Sequence, residues 1–493
     1  MASELFIGLD VGTQGARAIA CDARGRVAAE AAAPFAHPPR EPQPGWHEQR
    51  PDDWWNAAVA CLTQLARATN AAGYPSEALG RIAVTSTSGT ILLVDAAGRP
   101  LLPAIMYSDA RAAEEAELCN EAGRLLTEKL GARFSASFAL PKLLWLARHR
   151  PHKFQAAARF CHAADFIVGR LTGCYDVSDT SNALKTGYDV VEGRWPAFFA
   201  DLGLPLHKLP RVLRPGEPIA RVGTAVAERT GLSRTALVVA GATDGTAGFL
   251  ASGACAVGEW CSTLGTTLVL RGVSRELLRD PLGRFYSHAH PEGHWLPGAA
   301  SCVGGECLEV RFKGKDLAAL DAQVAEHLPN KLVLYPLARR GERFPFIDPR
   351  AKGFVRGRPS SRAELYAACL EAVAYVERWG YELVAGLGAP LAEPLYAAGG
   401  AVGSAVWLQL RADILGRAFR VAANANSAKG AALLAAAAPL GSLAQAVGQM
   451  VAFQRTVEPR IRLHAYFDDK YQRFRRACDR AYPKQGPDRS GHA

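Results

Sequence analysis

Two turns far apart in the chain combine the residue types that hold phosphate. Phe6-Ile7-Gly8-Leu9 runs into Asp10-Val11-Gly12-Thr13, and Leu264-Gly265-Thr266-Thr267 leads into Leu268-Val269-Leu270. A buried strand that ends in Gly and Thr aims backbone N–H groups and a hydroxyl at an anion, because glycine permits close approach and positive φ. The carboxylate of Asp10 beside such a turn would repel a bare phosphate. A divalent cation, most simply Mg²⁺, is therefore expected on Asp10, between the two. A third device, Ala236-Leu237-Val238-Val239-Ala240 followed by Gly241-Ala242-Thr243-Asp244-Gly245, sets another acid at a strand end. Phosphoryl transfer asks for an oriented acceptor hydroxyl and a place for its proton, and Asp244 is expected to supply both. Capping a helix that begins near Gly245 is a second use for Asp244, compatible with the first. Asp10 and Asp244 are expected to meet across a crevice between domains.

These devices need strands to carry them. Residues 5–10, 16–22 and 27–33 read as a meander, 34–44 as a proline-rich loop, and Asp52-Asp53 as the start of a helix that runs to about residue 69. Residues 81–85 and 90–95 are strands flanking the polar turn Ser86-Thr87-Ser88-Gly89. Residues 338–345 form a loop between a strand and a helical region that begins near residue 360, and Tyr396-Ala397-Ala398-Gly399-Gly400 is again a strand falling into glycines. Alternation of such runs with Ala/Leu/Glu-rich stretches is α/β patterning. The paired Gly-Thr turns suggest that two halves share one plan. Neither GxxxxGK[ST] nor a strand-to-helix GxGxxG occurs, so a nucleotide would have to be held by the split arrangement.

At 493 residues the chain exceeds one core, and its 49% hydrophobic and 21% charged content is that of a globular protein. Three segments are expected: 1–252, 253–445 and a basic helix and tail over 446–493. The start lacks a basic leader and is interrupted by Glu4, and the apolar run 431–440 is too short to span a bilayer and carries Pro439, so neither a secretory signal nor a membrane partner is expected. Eleven cysteines with no CxxC pair point to reduced thiols and a cytoplasmic setting. The net charge of +10 owes much to ten basic residues between Arg455 and Arg489. That end reads as a solvated helix and tail, with Tyr466, Phe467, Tyr471 and Phe474 as one packed face rather than a nucleic-acid surface. His288 and His290 alternate on a strand and read as partly exposed, with no carboxylate or cysteine at ligand spacing.

From residue 4 to residue 440 the chain resembles the FGGY carbohydrate kinases, of the actin-like, ribonuclease-H-like ATPase fold. The resemblance rests on Gly8-Leu9-Asp10-Val11-Gly12-Thr13, Gly45-Trp46-His47-Glu48-Gln49-Arg50-Pro51 before Trp54-Trp55, Leu171-Thr172-Gly173 with Ser178-Asp179-Thr180-Ser181-Asn182-Ala183, Gly241-Ala242-Thr243-Asp244, Leu264-Gly265-Thr266-Thr267 and Ala398-Gly399-Gly400. It implies a two-domain α/β fold with a central cleft, sugar on the first domain and ATP mainly on the second. Asp10 would face Mg²⁺ and the phosphates, Asp244 would be the general base, and Thr13, Gly265 and Thr266 would hold phosphate oxygens. Gly304, Gly400 and the neighbourhood of Ser404 and Trp407 would enclose the adenosine. Ala401, Ser404 and Asn426 depart from the Gly, Asn and Glu common in that family.

The acceptor is read from the turn after residue 85. Glycerol kinases place Arg-Glu where Ser88-Gly89 stand, and xylulokinases typically place Met-His at Thr87-Ser88. Those residues, with Asn182-Ala183-Leu184-Lys185, Tyr286-Ser287-His288 and Arg340-Gly341-Glu342-Arg343-Phe344-Pro345, resemble instead the xylulokinase-like subgroup of cyanobacteria and plants that phosphorylates D-ribulose. The expected reaction is ATP-dependent phosphorylation of the terminal 5-hydroxyl of D-ribulose, with Asp10, Ser88 and Asp244 at the substrate. Asp109 and Arg111 are either contributors or a surface ion pair. D-xylulose, another ketose or a polyol are the alternative acceptors. An actin-like ATPase without a sugar acceptor and a degenerate sugar sensor are the rival classes. A homodimer is left open.

Overall fold

The first sheet grows from the opening hairpin. Strands β1 (Leu5–Val11), β2 (Gly15–Cys21) and β3 (Val27–Pro34) form the antiparallel meander read from the sequence. β4 (Leu79–Ser86) lies parallel to β1, and β6 (Leu237–Thr243) lies parallel to β4, with β5 (Pro218–Arg221) antiparallel at the edge. The order is β5-β6-β4-β1-β2-β3. β1 is apolar along almost its whole length because it is an interior strand covered on both faces. The helix Pro51–Ala71 packs Trp54, Leu62 and Leu65 into that core, with Pro at its first position and Asp52 and Asp53 in its first turn.

The computed structural model describes residues 4–328 and 330–483. Its described residues divide into two compact units that do not follow chain order: one comprises residues 4–255, 288–293 and 424–452, the other residues 256–287, 294–328, 330–423 and 453–483. The helix Ser427–Ala437 thus belongs with the N-terminal sheet rather than with the segment 253–445 that surrounds it in sequence. It does so because Gly8 on β1 has no side chain: a β-carbon there would overlap the Ala428 carbonyl oxygen.

The second sheet repeats the plan of the first. β7 (Trp260–Leu264), β8 (Leu268–Gly272) and β10 (Trp295–Ala300) form an antiparallel meander extended by β9 (Phe285–Ala289). β11 (Leu395–Ala398) is parallel to β7, β12 (Phe419–Ala422) is parallel to β11, and β13 (Phe453–Val457) closes the edge antiparallel. Each sheet is therefore a meander joined through its first strand to two parallel strands and an antiparallel edge. Asp10-Val11-Gly12-Thr13 and Thr263-Leu264-Gly265-Thr266 stand at matching hairpin ends. The helix Arg362–Gly386 supplies Tyr366, Val373, Trp379 and Tyr381 to the core of this unit.

Part of the basic end is core rather than a solvated arm. In the helix His464–Ala481, Phe467, Tyr471 and Phe474 are buried, and Lys470 is buried too, paired with Glu371 and donating to Asn330 Oδ1 at 2.7 Å. Residues 484–493 of the expected tail lie outside the described residues. None of the eleven cysteines forms a disulfide. No helix among the described residues is long and apolar enough to cross a membrane.

Candidate functional site

The acidic end of the first sheet is assembled by strand register. Parallel pairing sets Asp10 beside Thr85 and Thr85 beside Ala242, and one step on it sets Val11, Ser86 and Thr243 in a row. Asp244 follows at once, as the first residue of the helix Asp244–Ala251, where the helix dipole favours a negative charge. It is not the cap itself: Thr243 takes that position, and the Asp244 carboxylate accepts from the neighbouring Gly245 N–H at 2.7 Å. Ser427 Oγ donates to the Asp244 carbonyl at 3.1 Å, so the helix that covers β1 at Gly8 also braces the start of the Asp244 helix. Asp10 and Asp244 thus stand on one sheet of one unit, and the expectation that they meet across a crevice between domains is corrected: parallel pairing through β4 brings them together.

Their proximity is felt electrostatically. Burial, then the Asp244 charge, pushes the Asp10 carboxyl up to about 7, with Arg17 opposing. Asp10 Oδ1 is buried without a hydrogen-bond partner, and so are Ser86 Oγ, Ser88 Oγ and Asn182 Oδ1. Asn182 reaches this end because Ser181 Oγ accepts from Thr243 N at 2.8 Å, while Asn182 Nδ2 donates to Asp179 at 2.6 Å. Buried polar atoms are normally satisfied, so four orphans around one strand end describe a site whose remaining partners come with a ligand. A cation fits this donor set. Among the described residues no three His, Cys, Asp or Glu side chains gather as ligands, and a hard ion held by one carboxylate plus substrate oxygens is the manner of Mg²⁺. Thr13, at the β1–β2 hairpin tip, lines a cavity of about 460 Å³ with Asp10, Gly12 and Arg17. Gln49 props that tip, donating from Nε2 to the Thr13 carbonyl at 2.7 Å and accepting from Trp54 Nε1 at 2.9 Å.

Ser88 sits in the 86–90 turn. Gly89 there has φ of 85°, and a β-carbon on it would collide with the Ser137 carbonyl. Asp109 and Arg111 are not a surface pair. Arg111 forks onto Asp109, reaches Glu48 at 3.0 Å and stacks 4.0 Å over the Trp46 ring, with side chains of 3% and 0% exposure for Arg111 and Asp109. His288 and His290 are likewise buried, against expectation, and Cys255 Sγ lies 3.8 Å from His290 Nε2.

The second unit gathers Gly265, Thr266, Gly304, Gly400 and Ser404 at the matching end of its own sheet. Gly265 N donates to the Thr267 carbonyl at 3.1 Å, closing the hairpin tip and leaving the Thr266 residue exposed. Gly305 N donates to the Gly265 carbonyl at 2.7 Å, and a β-carbon on Gly304 would collide with the Thr266 carbonyl, so this backbone approach requires glycine. β11 pairs with β7 up to Thr263 and Ala398, which delivers Gly399 and Gly400 to the same end. Ser404 caps the helix Ala405–Leu415 by accepting from Trp407 N at 3.1 Å. Trp407 is spent in the core, its Nε1 donating to the Leu370 carbonyl. Asn426 is spent on capping the helix Ser427–Ala437. These five residues bring glycine backbone and the exposed Thr266 to one sheet end, with no carboxylate among them.

Sequence reasoning missed Arg17, Ser86 and the brace through Ser427. Arg17 carried a signal, since a cation seven residues after Asp10 on a paired hairpin strand returns beside it: Asp10 and Arg17 are register partners.

Residues 5–251 match the N-terminal domain, and residues 262–439 the C-terminal domain, of the FGGY family of carbohydrate kinases. The chain is 29% identical to the xylulose kinase of Escherichia coli (strain K12), over 97% of this chain and 99% of that one. It is 31% identical to the glycerol kinase of Bordetella parapertussis, over 93% of each. Among solved structures, the xylulose kinase from Rhodospirillum rubrum superposes with a TM-score of 0.87 at 29% identity, covering 97% of this chain and 99% of that chain.

Proposed function

We infer, for a chain that belongs to the FGGY family of carbohydrate kinases, that it transfers the γ-phosphoryl group of ATP to the terminal 5-hydroxyl of a ketopentose, D-ribulose first, giving D-ribulose 5-phosphate and ADP. The observation that carries this reading is the coupled pair Asp10 and Asp244 at neighbouring strand ends, ringed by the orphaned oxygens of Ser86, Ser88 and Asn182.

In this reading Asp244 accepts the hydroxyl proton as the sugar oxygen bonds to phosphorus and the bond to ADP breaks. Its carboxylate is held at the start of the helix Asp244–Ala251, accepting from Gly245 N at 2.7 Å, where it can meet the acceptor hydroxyl. Asp10 would hold Mg²⁺, which when bound neutralises charge on the phosphates. Thr13, Gly265 and Thr266 would hold phosphate oxygens, and Gly304, Gly400 and Ser404 the nucleoside. Ser86 and Ser88 offer the sugar hydroxyl partners. A missing or misplaced sugar hydroxyl would strand one of those buried groups, which is how a polyol site discriminates.

D-ribulose is placed first because Thr87-Ser88-Gly89-Thr90 resembles the turn of the D-ribulose-phosphorylating subgroup. Thr87 Oγ1 is already bonded to Thr90 Oγ1 at 2.9 Å, leaving Ser88 Oγ for the ligand. D-xylulose is the second reading, favoured by relatives named xylulose kinase. A coupled assay with ATP and Mg²⁺ against D-ribulose, D-xylulose, L-ribulose and glycerol separates them. A larger kcat/KM for D-xylulose than for D-ribulose reverses the order, and phosphate release indifferent to every sugar removes the kinase reading of the site.

A further inference from the structure

Lys142 is fully buried, in the first turn of the helix Ala139–His149, within the apolar run Leu140-Pro141-Lys142-Leu143-Leu144. Its Nζ donates to the Gly89 carbonyl at 2.9 Å and to the Ser137 carbonyl at 3.1 Å. Those two segments also touch directly, since a β-carbon on Gly89 would meet the Ser137 carbonyl oxygen. One ammonium group therefore ties the 86–90 turn to the residues just before the helix. Burial pushes the amine down to about 7; Asp109 opposes that shift, while Lys185, from the helix Thr180–Lys185, and Arg111 add to it. A methionine would fill the same volume in a core without that penalty, so the cost is set against something an apolar side chain cannot do.

We propose that Lys142 is a positioning residue for the sugar: it clamps the carbonyl of Gly89 to that of Ser137 and so fixes the orientation in which the preceding Ser88 meets the substrate. The proposal rests on the reading of Ser88 as a sugar contact. Lys142 donates both of its described hydrogen bonds to main-chain carbonyls, so its effect passes through the turn.

The test compares Lys142→Met, Ser88→Ala and the double variant, with sugar and ATP varied separately and folding followed by circular dichroism and thermal melting. A folded Lys142→Met protein should show a sugar KM at least about 10-fold higher, with kcat at saturating sugar within about 3-fold and the KM for ATP within about 2-fold of the parent. The double variant should be no worse than the worse single, because both substitutions remove the same contact. A sugar KM within about 2-fold of the parent, a loss shared equally by ATP, or additive effects in the double variant would overturn the proposal. If Lys142→Met does not fold, Lys142→Gln, which keeps two N–H donors for the two carbonyls, is read in the same way. If neither folds, Lys142 is a strut of the whole unit and the proposal falls. A silent Ser88→Ala would instead remove Ser88 from the sugar site, whereas an effect of Ser88→Ala beside a silent Lys142→Met removes only Lys142.

Discussion

Replacing Asp10 by Asn should make the protein more stable while removing its activity. Burial and the charge of Asp244 raise the Asp10 carboxyl from 3.8 to about 7 in the folded chain. Because the folded pKa lies above the unfolded one, the native state binds the proton more tightly, and stability falls as pH rises through that window. The penalty is absent below 3.8 and complete above about 7. Three units correspond to about 4 kcal/mol at pH 8, and an Asn amide left partly unsatisfied in the same place gives back about 1–2 kcal/mol. The net gain of about 2–3 kcal/mol should raise Tm by about 5 °C for a unit of this size. The assay is thermal unfolding of both proteins from pH 4 to pH 8, without nucleotide or divalent ion, since a cation on Asp10 would cancel the penalty. The variant should melt slightly below the parent near pH 4, where only the amide cost remains, and above it at pH 8, so that the two curves cross at about pH 5. A variant that melts below the parent at pH 8 by the same margin as at pH 4 would refute the raised pKa of Asp10.

Three more outcomes are expected. Asp244→Asn should fold normally and lose about 10²- to 10⁴-fold in kcat, and near-normal turnover takes Asp244 out of the proton step. Gly304→Ala should raise the KM for ATP by at least about 10-fold with little change in that for sugar, because its β-carbon displaces the Thr266 backbone; equal effects on both substrates would place Gly304 elsewhere in function. Arg111→Met should cost about 3–5 kcal/mol in urea unfolding, since it strands the buried Asp109, and a loss under about 1 kcal/mol would mean the carboxylate finds water.

What could be read from the residues alone was local. The hairpin of β1 and β2 follows from an apolar run broken by Gly12 and Gly15, and the Gly265-Thr266 turn from the same pattern between Leu264 and Leu268, so both tips stand where expected. What could not be read was contact between distant segments. The alanine-rich helix Ser427–Ala437 has no outward sign of which sheet it covers; the deciding feature is the missing side chain of Gly8, more than 400 residues earlier. Asp109 and Arg111, two residues apart, look the same whether solvated or enclosed, and Trp46 and Trp145 do the enclosing. Lys142 carried no signal, because a lysine in an apolar helix ordinarily snorkels to water.

The two sheets share a plan but differ in charge, and under the proposed function that difference divides the ligand chemistry between them. At matching hairpin positions the first has Asp10 where the second has Thr263, and the first adds Asp244 one residue beyond a parallel strand. Two coupled carboxylates suit an end that binds a cation and takes up a proton, and they would repel an anion brought there unaccompanied. An end made of Gly265, Thr266, Gly304 and Gly400 carries no such repulsion and, under the proposed function, would take the phosphates themselves. A duplicated scaffold with both ends acidic would lack a seat for the nucleotide, and one with both ends glycine-lined would lack a place for the proton. Under that reading, the exchange of Asp for Thr at one register position separates the acceptor's chemistry from the donor's.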